Sequence, residues 1–249
     1  MRTTRGYVDL ELVVGQEVAL SEELANHLTR VLRLRSGDVV HLFNGDGREY
    51  RATLTSLERK RTLARIEDEV PPLPESPLRL TLAQGLCRGE KMDLVLQKAT
   101  ELGVRAIQPL ATERTEVRLD AEREARRVGH WRQVIASACE QSGRASLPLL
   151  TAPLSLPNWL VQLGAGVPTA KPESIRLMLD PEGDLSLRDL PVATDAILVV
   201  GPEGGFSEGE GALLQRMGFA RLRLGPRVLR TETAGLAAIA ALQSHWGDL

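Results

Sequence analysis

The chain has 249 residues, of which 43% are hydrophobic and 26% charged, with a formal net charge of −2 and a sequence pI of about 6.2. This apolar content is enough for a packed core and excludes an intrinsically disordered chain. The near-neutral balance excludes a uniformly basic surface, so any contact with nucleic acid must come from a local cluster of cations.

The cysteines and the apolar runs exclude two further classes of protein. Cys87 and Cys139 lack CxxC spacing, so we expect neither a zinc site nor a disulfide framework, but thiols in a reducing compartment. The amino-terminal segment has no uninterrupted apolar stretch typical of a secretory signal. The longest run of small apolar residues, Ala234–Leu242, is shorter than the roughly 20 residues that cross a bilayer. We therefore expect a cytoplasmic protein with no metal and no membrane partner.

The first 70 residues predict a small β-rich unit. Alternating apolar residues indicate strands over 39–43, 48–56 and 62–69. Asn44–Gly47 separates the first two strands and is a strong hairpin signal, because Asn and Gly tolerate positive φ. Ser21–Val31 predicts a short helix that begins at a serine N-cap. A unit of this size is barrel-like at most.

Residues 71–77 are rich in proline and predict a stiff linker, because proline fits neither a helix nor a central strand. An extended loop inside one domain is the alternative, and the different patterns on either side disfavour it. The predicted organisation is a barrel over 1–70, the linker over 71–77 and a second domain over 78–249.

The second domain alternates strands with helices, which predicts a largely parallel sheet covered by helices on both faces. Apolar residues recur at helical spacing from Met92 to Leu102, and Gly103 then ends this helix. Ser207 and Glu210 form a capping box at the start of the penultimate helix. The other predicted elements are strands over 78–86, 104–110, 175–180, 195–201 and 219–225, a helix over 121–142 and a last helix from Thr231.

A glycine-rich loop, Gly201–Phe206 (GPEGGF), follows the predicted strand 195–201. Ligands of α/β sheets bind at the carboxyl ends of strands, so this loop is a candidate binding site. Its glycines let the main chain approach a ligand, and Pro202 keeps the loop rigid. A tight strand-to-helix turn is the alternative. The Rossmann and Walker A fingerprints are absent, and a proline and a carboxylate in the loop disfavour a pyrophosphate cradle.

A second candidate segment, LGPRVLRTETA over 224–234, joins a short predicted strand to the last helix. Thr231 or Thr233 as the N-cap, with Glu232 near the positive end of the helix dipole, would explain part of the segment structurally. Capping would not explain why the segment also carries Arg227 and Arg230.

Six segments in order carry a resemblance to a known family. They are HLTRVLRLRSGD (27–38), QKATELGV (97–104), ERT (113–115), ACEQSGR (138–144), GPEGGFSEGE (201–210) and LGPRVLRTETA (224–234). Together they resemble the RsmE family, the 16S ribosomal RNA uracil-N3 methyltransferases of the SPOUT superfamily. The resemblance implies an α/β fold in which a SPOUT trefoil-knot methyltransferase domain is preceded by a small PUA-like β-barrel.

The chain departs from the family pattern at two places. The family often begins with a basic-aromatic run, whereas this chain begins MRTTRGYV, in which Tyr7 is the one aromatic residue. This departure puts the RNA contacts of an amino-terminal arm in question. The family also often carries a serine after Glu-Arg, whereas Thr115 stands here and keeps the hydroxyl.

The resemblance also implies a cofactor and partners. The cofactor is S-adenosylmethionine (SAM), bound in the knot loops without a metal. The partners are 16S ribosomal RNA in the 30S subunit and a second copy of the chain in a homodimer. The residues carried over as cofactor-binding are Leu179, Gly201, Pro202, Glu203, Gly204, Gly205, Leu224, Leu229 and Thr231.

The implied reaction requires a uracil ring that can attack through N3. SAM carries its own leaving group, so the enzyme must align the reacting atoms and exclude water. The N3–H of uracil is mostly protonated near neutral pH, so a base or an anion-stabilising cation should help. Our hypothesis is that Arg230 stabilises the developing uracil anion while Glu203 orients the ring or takes its proton. A structural hydrogen bond between Glu203 and the knot backbone is the alternative.

RNA recognition is expected to depend on arginine, RNA shape and phosphate contacts, because aromatic residues are only 3% of the chain. A solvated charged face is the alternative for these arginines, and a core position is the alternative for His27. Residues 1–70 hold 11 Lys/Arg and 12 Asp/Glu, so the barrel is not basic as a whole. The predicted RNA contacts are Arg2, Arg5, His27, Arg30, Arg33, Arg114, Gln141 and Arg144, with Arg35 beside them.

Two other functions fit the motifs less well. A non-catalytic RNA-binding factor in ribosome assembly would need no cofactor loop, yet GPEGG and RTETA are intact. A SPOUT methyltransferase that acts on transfer RNA is the closer alternative. The barrel ahead of the knot domain, together with RTETA, favours ribosomal RNA.

Overall fold

The computed structural model describes residues 3–58, 61–116, 120–165 and 174–249, and it divides into two compact units. The first unit comprises Met1–Glu75 with Ala136–Leu147, and the second comprises Ser76–Ile135 with Pro148–Leu249. Residues 71–77 form neither helix nor strand. Arg2, one of the predicted RNA contacts, lies outside the described residues.

The first unit is built on a mixed sheet. Its strands run in the order β1-β3-β4-β5-β2, with β1 parallel to β3 and the other pairs antiparallel. Leu28, Leu42, Leu54 and Ile66 are fully buried in its core. The elements are β1 (Arg5–Tyr7), β2 (Glu17–Ala19), α1 (Glu22–Asn26), a π-helical turn (His27–Val31), β3 (Val39–Phe43), β4 (Glu49–Glu58) and β5 (Arg61–Val70).

The predicted strands of this unit are confirmed, and so is the hairpin, in which Phe43 pairs with Glu49. The predicted helix begins as expected, because the Ser21 side chain accepts a hydrogen bond from Leu24 N. It then widens into the π-helical turn, where Leu32 N donates to the carbonyl of His27. The strands β1 and β2 were not predicted, since three residues are too few to show alternation.

A buried carboxylate joins distant segments of the first unit. Glu49 is 6% exposed and accepts hydrogen bonds from Arg5 Nε (3.0 Å) and Nη2 (2.9 Å), and His41 Nδ1 lies 2.9 Å from its Oε1. Arg5 also donates to the carbonyls of Cys139 (2.6 Å) and Arg144 (3.1 Å). Burial acts to raise the pKa of Glu49, but the hydrogen bonds from Arg5 and His41 outweigh it and hold the pKa below its ordinary value.

The second unit is built on a parallel sheet with the strand order β12-β10-β11-β6-β7-β8, and β9 pairs with β7. The expected α/β architecture is thus confirmed. Buried residues on the sheet and the helices, including Ala83, Val199, Leu214 and Phe219, form its core. The elements are β6 (Arg79–Gly85), α2 (Lys91–Glu101), β7 (Ala106–Ala111), α3 (Ala121–Ser142, which from Ala136 on belongs to the first unit), β8 (Leu149–Leu150), β9 (Leu154–Ser155), α4 (Leu156–Ala165), β10 (Ser174–Leu179), a 3-10 turn (Leu187–Asp189), β11 (Asp195–Val200), α5 (Glu208–Arg216), β12 (Ala220–Leu222) and α6 (Thr231–Trp246).

The edge strand β12 is enclosed on both sides by the chain that precedes it. It pairs with β10 on one side. On the other side Leu185 N donates to the carbonyl of Arg221 (3.2 Å), and Arg223 N donates to the carbonyl of Leu185 (2.9 Å). The loop from β10 to β11 therefore passes around the outside of β12. The chain after β12 then returns to place α6 against α2 and β11, an arrangement that agrees with the expected trefoil knot.

The end of α2 fits against α6. Gly103 has φ +83°, as the predicted C′ glycine should, and a Cβ at this position would lie 2.7 Å from Gln243 Nε2. Gln243 is fully buried, donates to the carbonyl of Leu102 (2.8 Å) and accepts from the Ser76 hydroxyl (2.6 Å). In the part of the chain that the structure describes, no helix is long and apolar enough to cross a membrane.

Replacing Glu49 with Gln should destabilise the protein by about 3–5 kcal/mol, because Arg5 is left buried without its counter-ion. The carboxylate contributes stability above the ordinary Glu pKa and loses it as the pH falls through its lowered folded pKa, so the variant should lose this part of the acid sensitivity. Urea unfolding at several pH values measures both effects. Asp68→Asn removes an exposed partner of Arg51 and should change stability little. Equal losses for the two variants would contradict the role of Glu49.

Candidate functional site

Three loops at the carboxyl ends of β10, β11 and β12 line one cavity of about 740 Å³ in the second unit. Parallel strands bring these ends to the same edge of the sheet, where ligands of α/β folds bind. The volume lies within the range of about 300–1,000 Å³ for small-molecule sites. The predicted cofactor and catalytic residues that line the cavity are Leu179, Gly201, Pro202, Glu203, Gly205, Leu224, Leu229, Arg230 and Thr231.

The loop after β11 lies directly on the end of β6. A Cβ on Gly85 would lie 2.5 Å from Pro202 N and 2.8 Å from the Gly201 carbonyl carbon, so two main chains are in contact here. The loop is also the tight turn considered above, because Gly205 N donates to the carbonyl of Pro202 (2.9 Å) and Gly205 has φ +67°. The segment is therefore a tight turn and a cavity wall at once.

Thr231 fastens the start of α6 to this loop. Its hydroxyl donates to the carbonyl of Gly201 and accepts a hydrogen bond from Gln84 Nε2 (3.1 Å). The alternative that Thr231 or Thr233 caps α6 was wrong, because the N-cap is Arg230 and it makes no side-chain capping bond. The Thr231 hydroxyl joins β6, β11 and α6 instead.

Glu203 is held as a carboxylate at the rim of the cavity. Its Oε1 accepts hydrogen bonds from Lys91 Nζ (3.0 Å) and Arg88 N (3.2 Å). Burial acts to raise its pKa, but the Lys91 side chain and the backbone donors outweigh burial and lower the pKa below the ordinary value. A carboxylate with a lowered pKa is a weak base, so this environment suits charge and orientation better than proton transfer.

Lys91 is a cavity residue that sequence reasoning missed. Its Nζ also lies 3.8 Å from Glu232 Oε2, and Glu232 is in the first turn of α6. Lys91 itself is the first residue of α2, where a cation is opposed by the helix dipole. The unfavourable position of Lys91 at the start of a helix was the one sequence signal that this lysine is paired with carboxylates from other segments.

Arg114 holds the glycine loop from outside the cavity. Its Nη1 donates to the carbonyl of Gly204 (3.0 Å), and a Cβ on Gly204 would lie 3.0 Å from Arg114 Cβ. Gly204 is thus a contact of Arg114 and is not part of the cavity lining. The Thr115 hydroxyl, retained where the family often has serine, accepts a hydrogen bond from Thr112 N (3.0 Å) and closes the turn that carries Arg114.

The other predicted RNA contacts lie in the first unit and belong to two groups. His27, Arg30 and Arg33 are exposed along the π-helical turn and just after it. Arg33 has φ +58°, a left-handed conformation that is uncommon for any residue but glycine. Arg35 is also exposed, two residues further on.

The second group surrounds the end of α3. The guanidinium of Arg5 binds Glu49, as described above, and Arg144 is 5% exposed with its Nη2 2.6 Å from Glu75 Oε2. Gln141 is exposed on the last turn of α3. Contact with RNA stays a prediction for all three residues, and for Arg5 and Arg144 the guanidinium groups already have partners inside the unit.

Comparison with known proteins agrees with this architecture. Residues 74–243 match the RNA methyltransferase domain family, and residues 20–67 match the RNA methyltransferase PUA domain family. A ribosomal RNA small subunit methyltransferase E from Buchnera aphidicola subsp. Schizaphis graminum is 31% identical over 100% of this chain and 98% of its own length. The chain belongs to the ribosomal RNA small subunit methyltransferase E family.

Solved structures of similar proteins have the same fold over the whole length. The family member from Neisseria gonorrhoeae, bound to S-adenosyl methionine, is 39% identical with a TM-score of 0.87, and both chains are covered completely. A putative methyltransferase from Legionella pneumophila, in complex with bound SAM, is 41% identical with a TM-score of 0.91, again over all of both chains. The expected SPOUT methyltransferase fold with a PUA-like unit ahead of it is confirmed.

Replacing Gly85 with Ala should destabilise the second unit and displace the glycine loop, because the new Cβ meets backbone atoms that cannot rotate away. Gly129→Ala is the matched control, since a Cβ there has no neighbour within 4 Å and alanine favours the helix by up to about 1 kcal/mol. Thermal unfolding and amide hydrogen exchange of residues 201–205 measure the two effects. A Gly85→Ala protein as stable and as protected as wild type would show that the two main chains can separate.

Proposed function

We propose that this chain methylates N3 of a uridine in 16S (small-subunit) ribosomal RNA with SAM as the methyl donor. The observation that carries the proposal is the cavity that the GPEGG loop and the LGPRVLRTETA segment both line, at the ends of β11 and β12 on either side of β10. The names of the relatives support the ribosomal substrate, and the resemblance to the RsmE family supports the uracil N3 position.

The residues around the cavity fit SAM. Leu179, Val200 and Leu224 offer apolar walls that suit an adenine ring, and the glycine loop offers main-chain donors and acceptors without Cβ atoms over them. Asp180 and Glu203 place carboxylates on the lining, which suits a ligand with a sulfonium and an ammonium group. We propose the nine predicted cofactor residues as its binding set, with Gly204 acting through its contact with Arg114.

SAM would supply an activated methyl group with its own leaving group. The work left to the protein is to deprotonate or polarise the uracil N3–H and to hold the ring in line. Arg230 is exposed at the mouth of the cavity and begins α6, where a cation can face an anion developing on the uracil ring. Glu203, held ionised by Lys91, orients the ring or its neighbours in this proposal and is a poor acceptor for the proton.

RNA is the substrate class, and its docking is assigned to cations of both units. In the first unit we propose the exposed group His27, Arg30 and Arg33, which projects from one short segment. In the second unit we propose Arg114, which is exposed next to the glycine loop. The proposed organisation keeps residues 1–70 as the RNA-binding barrel, 71–77 as the linker and 78–249 as the catalytic domain. A cytoplasmic homodimer acting on the 30S subunit completes the proposal.

The deciding experiment is methyl transfer from labelled SAM into 30S particles and free 16S ribosomal RNA that lack the modification, with transfer RNA as a parallel substrate. The product nucleoside is identified after digestion. We expect 3-methyluridine. Label in transfer RNA or on a ribose would favour the transfer-RNA alternative, and SAM binding without transfer to any RNA would contradict the reaction. A thermal shift with SAM tests the non-catalytic alternative, which predicts no shift.

Arg230→Ala should lower kcat by about 10²–10³-fold, as the loss of one anion-stabilising group does in other active sites. Raising the pH should partly restore its rate, because more of the uracil N3–H is then deprotonated without help.

Glu203→Gln should retain kcat within about tenfold, since a carboxylate with a lowered pKa is a weak base. Steady-state kinetics together with SAM titration separates kcat from cofactor affinity. A loss above about 10²-fold in Glu203→Gln with normal SAM affinity would make Glu203 the proton acceptor.

RNA affinity should fall steeply with salt, because arginine contacts to phosphate release counterions. Replacing Arg30 and Arg33 together with Gln should reduce the slope of log affinity against log salt by about two. Arg51→Gln, an exposed arginine paired with Asp68, is the control and should leave the slope unchanged. A flat salt response of the wild type would mean that these arginines are not the docking surface.

A further inference from the structure

We propose that Glu210 is a positioning residue for the cofactor loop and acts through the turn that carries Arg114; this role rests on the function proposed above. Glu210 is 4% exposed and lies in the first turn of α5. Its Oε2 accepts a hydrogen bond from Ser207 N (3.0 Å), and its N–H donates to the Ser207 hydroxyl (3.2 Å). These two bonds are the predicted capping box, and they use one carboxylate oxygen.

The other oxygen of Glu210 binds a different loop. Oε1 accepts a hydrogen bond from Glu113 N (2.8 Å), which lies 97 positions earlier in the chain. Capping of α5 does not require this bond, because a capping box satisfies only the N–H groups of its own helix. A buried carboxylate with both oxygens bound to N–H donors has a fixed orientation, so the turn after β7 is fixed with it.

That turn is rigid in itself. Thr115 N donates to the carbonyl of Thr112 (3.0 Å), and Thr112 N donates to the Thr115 hydroxyl (3.0 Å). Arg114 extends from the turn to the carbonyl of Gly204, and its Cβ lies 3.0 Å from where a Cβ on Gly204 would be. The connection runs from Glu210 through Glu113 and Arg114 to Gly204.

The connection ends on the outer side of the cavity wall. Glu203 and Gly205 line the cavity, whereas Gly204 between them faces Arg114. A hydrogen bond that fixes the Gly204 carbonyl therefore also restrains the neighbouring residues Glu203 and Gly205, which line the cavity. A loop already held in its bound shape loses less conformational freedom on binding, so affinity rises without any contact between Glu210 and the ligand.

The test is the SAM dissociation constant of the full chain, measured by calorimetry without RNA so that any loss of RNA contact by Arg114 has no effect. Glu210→Gln keeps the shape of the side chain but offers one acceptor oxygen to two N–H donors. Arg114→Ala removes the contact with Gly204. We expect each single variant to weaken SAM binding about tenfold, and the double variant to be within about twofold of either single variant, because both act through one connection.

Asp189→Asn is the matched control. Asp189 belongs to the capping box of the 3-10 turn in the same unit and does not line the cavity, so its variant should bind SAM as the wild type does. A Glu210→Gln effect that persists in full on the Arg114→Ala background would overturn the proposal, because Glu210 would then act through α5 alone. Unchanged affinity in Arg114→Ala, an exposed site that tests the contact even if Glu210→Gln folds poorly, would also overturn it. A wild type that binds no SAM would instead overturn the proposed function itself.

Discussion

Contact between two main chains, at Gly85 and at Gly201–Pro202, is the constraint on which the catalytic unit depends. Because no side chain separates these segments, the backbone at the end of β6 lies directly against the backbone of the loop after β11. Thr231 can then reach both Gly201 and Gln84 with a single hydroxyl, which holds the start of α6 against the loop. The cavity wall is therefore a set of backbone groups that are fixed before any ligand arrives, as electrostatic preorganisation requires.

One lysine at the cavity lies close to two glutamates. Lys91 lies 3.0 Å from Glu203 and 3.8 Å from Glu232, so one ammonium group serves both carboxylates. The hydrogen bond from Lys91 contributes to keeping Glu203 ionised. An ionised carboxylate of low basicity is better suited to orienting the substrate, as proposed, than to taking its proton. In the proposed reaction Arg230, exposed at the cavity, would then be the cation for charge that develops on the substrate.

The parts of the fold predicted from sequence were those whose signal is local. The β3–β4 hairpin, the α2 helix with its terminal glycine and the α5 capping box are each encoded within a dozen residues, and each was confirmed. β1 and β2 are too short for a period, and α4 was not predicted although a proline stands in its first turn, where proline is tolerated. These three elements are specified mainly by pairing and packing with distant segments.

The candidate site shows the same division. The residues of GPEGG and LRTETA were found because they are contiguous motifs, and most of them line one cavity. Lys91 and Glu210 were not assigned to the site, because their partners lie 112 and 97 positions away in the chain. Thr231 was considered as a cap from its place at a helix start, whereas tertiary partners took its hydroxyl. The role of a side chain whose partners are distant in sequence is almost impossible to predict from the local sequence pattern.

The first unit is completed by a segment that is synthesised late. Residues 136–147 supply the carbonyls that Arg5 binds, yet they follow the last strand of that unit by more than 60 residues. During translation at about 5–20 residues per second, the strands would emerge several seconds before the segment that closes them. The guanidinium of Arg5 can bind Glu49 during that interval, but the carbonyls of Cys139 and Arg144 are not yet present. Residues 76–135 of the second unit, with β6 and β7, have been synthesised by then, so the two units cannot mature strictly in chain order.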